Sequence, residues 1–289
     1  MSFFNIWILL TSALMAPQGT LFQNATMMPV NNQQNILLSK YKSIQKDAKY
    51  FTSDELQAWA SIDHNELNAI AYANQIPISF SPFAAGKFGS LSILSLDLQW
   101  LQRPELNNIL FDAQEGTTRV QGLEFNKHVS VYKSRGHKYP LIRIKTRNGD
   151  YLWLTVANES LSGFELSKKI KHIKKNISIL KKKNHPSVIM PQIDFEGFVD
   201  ISWMEGLRIA DKRNAYAIDS AIEYVKLTCD QEGCSVKAGA GLEFIPVSVA
   251  PDYQPPLIID QPFYFWIERA QCKHPIVEAY IDSDSLKKI

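Results

Sequence analysis

Cysteine is scarce, charge is balanced and the common catalytic signatures are missing in this 289-residue chain. Cys229, Cys234 and Cys272 are too few, and too odd in number, for a disulfide framework. Cys229 and Cys234 lie in a stretch that reads as extended, which sets them roughly 16 Å apart and forbids a bond unless the chain folds back. Neither has a CxxC partner or a nearby His, which argues against zinc. Lys and Arg number 31 against 29 Asp and Glu, a formal net charge of +2, so no global field argues for nucleic acid. There is no GxSxG, HExxH, P-loop or GxGxxG, and the six His residues are scattered outside any ligand spacing. An enzyme is therefore not expected, nor a metal or cofactor.

What the chain does have begins with the apolar N-terminus "MSFFNIWILLTSALMAPQG". It is too short for a membrane span and ends in small residues, so residues 1–19 read as a secretory signal that leaves no integral membrane segment in the mature chain. The alternative is a buried N-terminal helix, favoured by the lack of Lys or Arg before the apolar run. Residues 20–36 read as a polar linker and 37–289 as a single domain. Thr52 with Glu55 reads as a capping box before a helix over "DELQAWASIDHNELNAIAYA", and Ser81-Pro82 as a second helix start. Residues 91–101 fit a helix and a strand equally. From 117 to 157 four alternating stretches predict strands, with a hairpin turn at Asn148-Gly149-Asp150. Further strands are expected at 186–195, 215–229 and 262–268. Sheets separated by helices without βαβ regularity make the fold class α+β.

Residues 164–183 predict a basic amphipathic helix with Ile170, Ile173, Ile177 and Leu180 as its apolar stripe. Lys168, Lys169, Lys171, Lys174, Lys175, Lys181, Lys182 and Lys183 cover the remainder. They form either a solvated face or a surface for a sulfated polysaccharide or acidic lipid.

Four segments, in order, resemble the serpin family: "ISFSPF" (78–83), "VIMPQIDFEGFVDI" (188–201), "AIEYVKLTCDQEG" (221–233) and "IIDQPFYFWIER" (258–269). The resemblance implies mixed β-sheets with surrounding helices and an exposed reactive-centre loop, in a chain reduced in size between helix B and sheet C. The hinge would be Gln231, Glu232, Gly233 and Cys234. "LEFIPVSVAP" is similar to the cleavage region of an elastase-directed serpin. It sets the scissile bond at Val247-Ser248, with Phe244, Ile245 and Pro246 as loop specificity residues. What the resemblance implies is a secreted, extracellular inhibitor of an elastase-like serine protease, whose cleaved loop inserts as a new strand. The other reading is a non-inhibitory serpin-fold binding protein. On insertion Cys234, Val236, Ala238 and Ala240 would turn inward.

The sequence departs from the family pattern at three places. The interval after "SPF" is short: either Trp100 and Pro104 echo the Trp and Pro-Phe that follow the strand bordering the insertion groove, or residues 91–101 extend a helix and that strand is missing. Ala84 and Glu223 stand where a Ser and a His are usual. Gln231 faces Gln192 where an acid and a Lys are usual, a swap that would keep a hydrogen bond.

Overall fold

The computed structural model describes the chain except residues 19–20, 23–24, 114–115, 176, 180–186, 212–214 and 237–255. In chain order its first strands are Phe3–Asn5 (β1), Thr26–Met28 (β2), Leu56–Ser61 (β3), Gly89–Leu94 (β4), Leu96–Gln99 (β5), Glu105–Ala113 (β6) and Gly116–Phe125 (β7). Next come Val129–Ser134 (β8), Leu141–Lys145 (β9), Tyr151–Val156 (β10), Ile177–Ile179 (β11), Val188–Pro191 (β12) and Ile193–Val199 (β13). The last are Arg208–Ala210 (β14), Ala215–Ala217 (β15), Glu223–Cys229 (β16), Gly233–Val236 (β17), Leu257–Ile258 (β18), Phe263–Glu268 (β19) and Val277–Ile281 (β20). The α-helices among the described residues are Trp7–Met15 (α1), Asn32–Asp47 (α2), His64–Ala73 (α3) and Gly163–Lys175 (α4).

The four alternating stretches become β7 to β10, and β8, β9 and β10 pair as a meander. Gly149, at φ 86°, makes the left-handed turn between the last two. These strands join a seven-stranded sheet ordered β1-β20-β19-β10-β9-β8-β11, where Phe263 to Ile267 are all fully buried. A second sheet runs β18-β12-β7-β6 and a third β13-β16-β17-β5; β3 and β4 form a two-stranded extension.

Residues 7–15 form the buried helix of the two N-terminal readings. Phe4, Ile6, Trp7, Leu10 and Leu14 belong to the main core, and β1 pairs with β20. The Trp7 Nε1–H donates to Ser167 Oγ (2.8 Å) and Glu278 Oε2 (3.1 Å), tying α1 to α4 and β20. Residues 20–36 are likewise built in: β2 pairs with β14, and Asn31 caps α2 by accepting from Gln34 N.

Three local expectations are corrected. Thr52 and Glu55 do make both capping-box hydrogen bonds, at 2.9 and 3.2 Å, but these close one turn leading into β3. The helix starts later, at Asp63, whose carboxylate accepts from Asn65 N. Ser81-Pro82 opens no helix, and residues 78–83 lie in irregular chain against α3. The basic helix ends at Lys175 rather than 183; Ile177 sits in β11 and Leu180 lies outside the described residues.

Residues 91–101 resolve as strands. Leu94, Leu96 and Leu98 face the main core, whereas Leu91 and Ile93 face α3. Neither periodicity could have decided this, because both faces of β4 are covered. No helix is present between Phe83 and Gly116 among the described residues. Among the described residues no helix is long and apolar enough to cross a membrane.

Candidate functional site

The alternation of "EYVKLTC" makes β16 a half-buried strand, with Glu223, Val225, Leu227 and Cys229 on its core face. After it the chain reverses. Asp230 Oδ1 accepts from Glu232 N (2.8 Å) and Gly233 N (3.3 Å), and Trp100 Nε1–H donates to Asp230 O (2.7 Å). The reversal places β17 beside β16, with Cys234 opposite Cys229 and Ser235 opposite Thr228. On its other edge β17 pairs with β5, Cys234 opposite Leu98 and Val236 opposite Leu96. The hinge residues therefore begin a strand in the middle of a sheet.

Two details fix that strand. Cys229 and Cys234 are disulfide-bonded, with Cα atoms 4.0 Å apart. The chain folds back, and the expected 16 Å separation does not hold. A Cβ on Gly233 would lie 2.5 Å from the Leu98 carbonyl oxygen, so only glycine lets β5 approach this closely. The Gln231–Gln192 pair is not formed. Gln231 Nε2–H donates to Pro104 O (3.2 Å), while Gln192 Oε1 is buried without a partner.

Beyond β17 the sheet is split. β5 continues backwards into β4, which turns its other edge to β3, and β16 continues down to Glu223 with β13 on its far side. Between β4 and β16 lies a cavity of about 940 Å³ over α1. Leu10, Ala13, Phe83, Leu91, Ile218 and Val225 contribute to its apolar walls. Glu223 is 3% exposed, lines this cavity, and its Oε1 has no hydrogen-bond partner. Burial alone pushes its carboxyl up to about 8, so it is mostly protonated at neutral pH. At the rim the charges are paired: Lys87 with Asp219 (3.1 Å) and Lys226 with Glu196 (2.6 Å).

No metal-holding group of His, Cys, Asp or Glu occurs among the described residues. Gln231, Glu232, Gly233 and Cys234 are brought together at the β16–β17 turn. Phe244, Ile245, Pro246, Val247 and Ser248 lie outside the described residues, as do Lys181, Lys182 and Lys183. Of the α4 lysines, Lys168 pairs with Glu165 and Lys169 with Glu159, and Lys174 contacts Glu268. Lys171 and Lys175 have no ion pair among the described residues. Leu98, opposite Cys234 in β5, carried no signal of that role in the sequence. Asp230 with Gly233 was the one legible cue to a reversal.

Comparison of the whole fold with solved structures finds serpins. An insect serpin, Serpin48 of Tenebrio molitor, matches with a TM-score of 0.57 and 12% identity, over 96% of each chain. The chain has a serpin fold. Native protease nexin-1 with heparin is similar at a TM-score of 0.57 and 12% identity, over 88% of this chain and 87% of that one. Thyroxine-binding globulin in complex with thyroxine matches at 0.56 and 9%, over 97% and 92%. No family model matches the sequence, and neither does any curated protein. Residues 91–101, left undecided by the sequence, contain the end of β4 and all of β5, and β5 pairs with β17.

Proposed function

We propose that this serpin-fold protein inhibits an elastase-like serine protease by presenting Val247-Ser248 as bait. The observation that carries the reading is β17 seated between β16 and β5, immediately before residues 237–255, with the slot continuing in its direction. Attack of the protease serine on the Val247 carbonyl would release the Ser248 amine and leave an acyl-enzyme. The freed segment could then extend β17 downwards. Continuing the register of β17 would set Ala238 opposite Val225 and Leu94, and Ala240 opposite Glu223 and Ser92. Both are small residues on the core side, and ladder hydrogen bonds plus apolar burial drive the step. A small β-branched Val247 after Pro246 and the apolar Phe244 and Ile245 suit a narrow protease pocket.

The test is incubation with a pancreatic-type elastase followed by denaturing electrophoresis. A covalent complex, with the released fragment beginning at Ser248, supports the proposal; complete cleavage without a complex sinks it. Ala238→Arg would place an unpaired charge on the core face during insertion, so it should lose the complex while keeping cleavage.

One observation favours the second reading, a non-inhibitory binding protein. β4 ends at Gly89, which the continued register sets opposite residue 243, four residues short of Val247. A slot this short would accept only part of the loop. Cleaved protein whose melting temperature does not rise would select this reading.

For placement we propose the extracellular side. A disulfide at the hinge is stable in an oxidising compartment, which supports it. A sulfated polysaccharide is a proposed second partner, through the Lys171 and Lys175 side of α4. Recovery from culture medium tests the placement, and the N-terminal sequence of that material reads whether residues 1–19 remain.

A further inference from the structure

Glu223 poses a problem that loop insertion does not solve. Its Oε1 lies buried and without a partner in the wall of a 940 Å³ cavity. Continuing the strand would bring the methyl of Ala240 opposite it, which offers no hydrogen bond. A native buried polar atom left unsatisfied in a cavity of this size, within the range of small-molecule sites, points to a ligand that satisfies it.

The surroundings define the ligand. α1 and its flanks contribute Ile6, Leu9, Leu10, Ala13, Leu14 and Pro17, and no titratable group. From β4 the core-facing Ser92 already donates to Leu9 O (2.7 Å). Lys87 and Asp219 neutralise each other, as do Lys226 and Glu196, and Tyr224 is hydrogen-bonded to Glu196. Tyr216 is packed edge-on against Phe22 and Phe88. Glu223 is therefore the one carboxyl in the lining that no cation among the described residues balances. The slot runs between the extended strands β4 and β16, with apolar walls from Leu10, Leu91 and Val225 and with α1 residues lining it.

We propose that the cavity between β4 and β16 binds an elongated apolar molecule carrying one primary ammonium group, which ion-pairs with Glu223. The ammonium supplies both the missing hydrogen-bond donor and the missing positive charge. Its apolar body replaces water along Leu10, Leu91 and Val225. No bond changes hands except one: Glu223, protonated in the empty cavity, releases its proton to solvent as the ammonium arrives. This site does not depend on protease inhibition.

Dodecylamine, below its micelle concentration, is the probe, titrated calorimetrically at pH 7 in two buffers of different ionisation enthalpy. The expected result is saturable binding of one molecule per chain with net proton release. Dodecanol and dodecanoate should bind at least ~10-fold more weakly, as should dodecylamine to Glu223→Gln. Ala13→Phe, which fills the cavity without touching Glu223, should abolish binding. Absence of saturable binding overturns the proposal, as does equal affinity for amine and alcohol or an unchanged Kd in Glu223→Gln. Should Ala13→Phe fail to fold, Glu223→Gln decides alone, since it removes an unfavourable buried acid.

Discussion

Cys229 and Cys234 face each other across neighbouring strands and are bonded, so β17 is stapled to β16 at its start. The bond closes a very short ring, for which chain-entropy reasoning gives about 2 kcal/mol. Replacing both residues by Ser should lower stability by that amount, read from the urea midpoint. The midpoint should match that of reduced wild type. Equal midpoints for oxidised wild type and the double variant would show that the staple adds nothing.

Gly233 tests the same region sterically. Because a Cβ there would meet the Leu98 carbonyl at 2.5 Å, Gly233→Ala must push β17 away from β5. Amide exchange at Cys234 and Val236, which pair with β5, should quicken markedly, while the β10–β19 ladder stays protected. Unchanged protection at both residues would mean that β5 yields instead.

Glu223 makes stability depend on pH. Its folded carboxyl titrates near 8 and its unfolded one near 4.5, so the unfolded chain loses its proton first. Stability should fall as pH rises through that window, by at most about 1.4 kcal/mol per unit, and level off above it. Urea midpoints from pH 5 to 9 should show this slope in wild type and lose it in Glu223→Gln, which should be the more stable protein at neutral pH. Parallel profiles would contradict the assignment.

Arg269 joins two carboxylates from distant parts of the chain. It donates to Glu55 Oε1 (2.7 Å) and Asp150 Oδ2 (2.8 Å), and Asp150 is 2% exposed. The hydrogen bond from Arg269 holds Glu55 below the usual carboxylate range. That contribution is present above the unfolded pKa and is lost as pH falls through the folded one. Arg269→Met would strand Asp150 in the interior and should cost about 3–5 kcal/mol, measured by urea denaturation at pH 7.

On α4, the lysines already engaged by acids have less to offer a polyanion. Lys171→Ala with Lys175→Ala should elute earlier from a heparin resin than Lys168→Ala with Lys169→Ala. The reverse order would place any polyanion contact elsewhere.

Four strands of the seven-stranded sheet, β8, β9, β10 and β19, were legible because they alternate or run continuously apolar between clear turns, whereas β1, β11 and β20 were not. Thr52 and Glu55 misled because their reciprocal hydrogen bonds close an isolated turn as readily as they start a helix, and Ala58 and Ala60 disguise β3. Residues 91–101 were undecidable locally: β5 exists because β17 comes from well over a hundred residues away to pair with it. The disulfide was missed for the same reason. A separation of five residues means 16 Å in a strand and 4.0 Å across a hairpin, and the reversal at Asp230 made the difference. The pairing of Gly233 and Cys234 between β16 and β5, and the orphaned acid below them, are tertiary facts.

The pairing of Phe3 with Tyr280 in the seven-stranded sheet has a consequence for biosynthesis. β1 and β20 stand at opposite ends of the chain, and α1 needs Glu278 to receive the Trp7 indole. The segment that carries β1 and α1 therefore stays apolar and without these partners until the segment that carries β20 reaches it. Such separation slows folding and exposes the segment to aggregation or to chaperones. Maturation of this protein should be limited by a late closing step in which β1 meets β20.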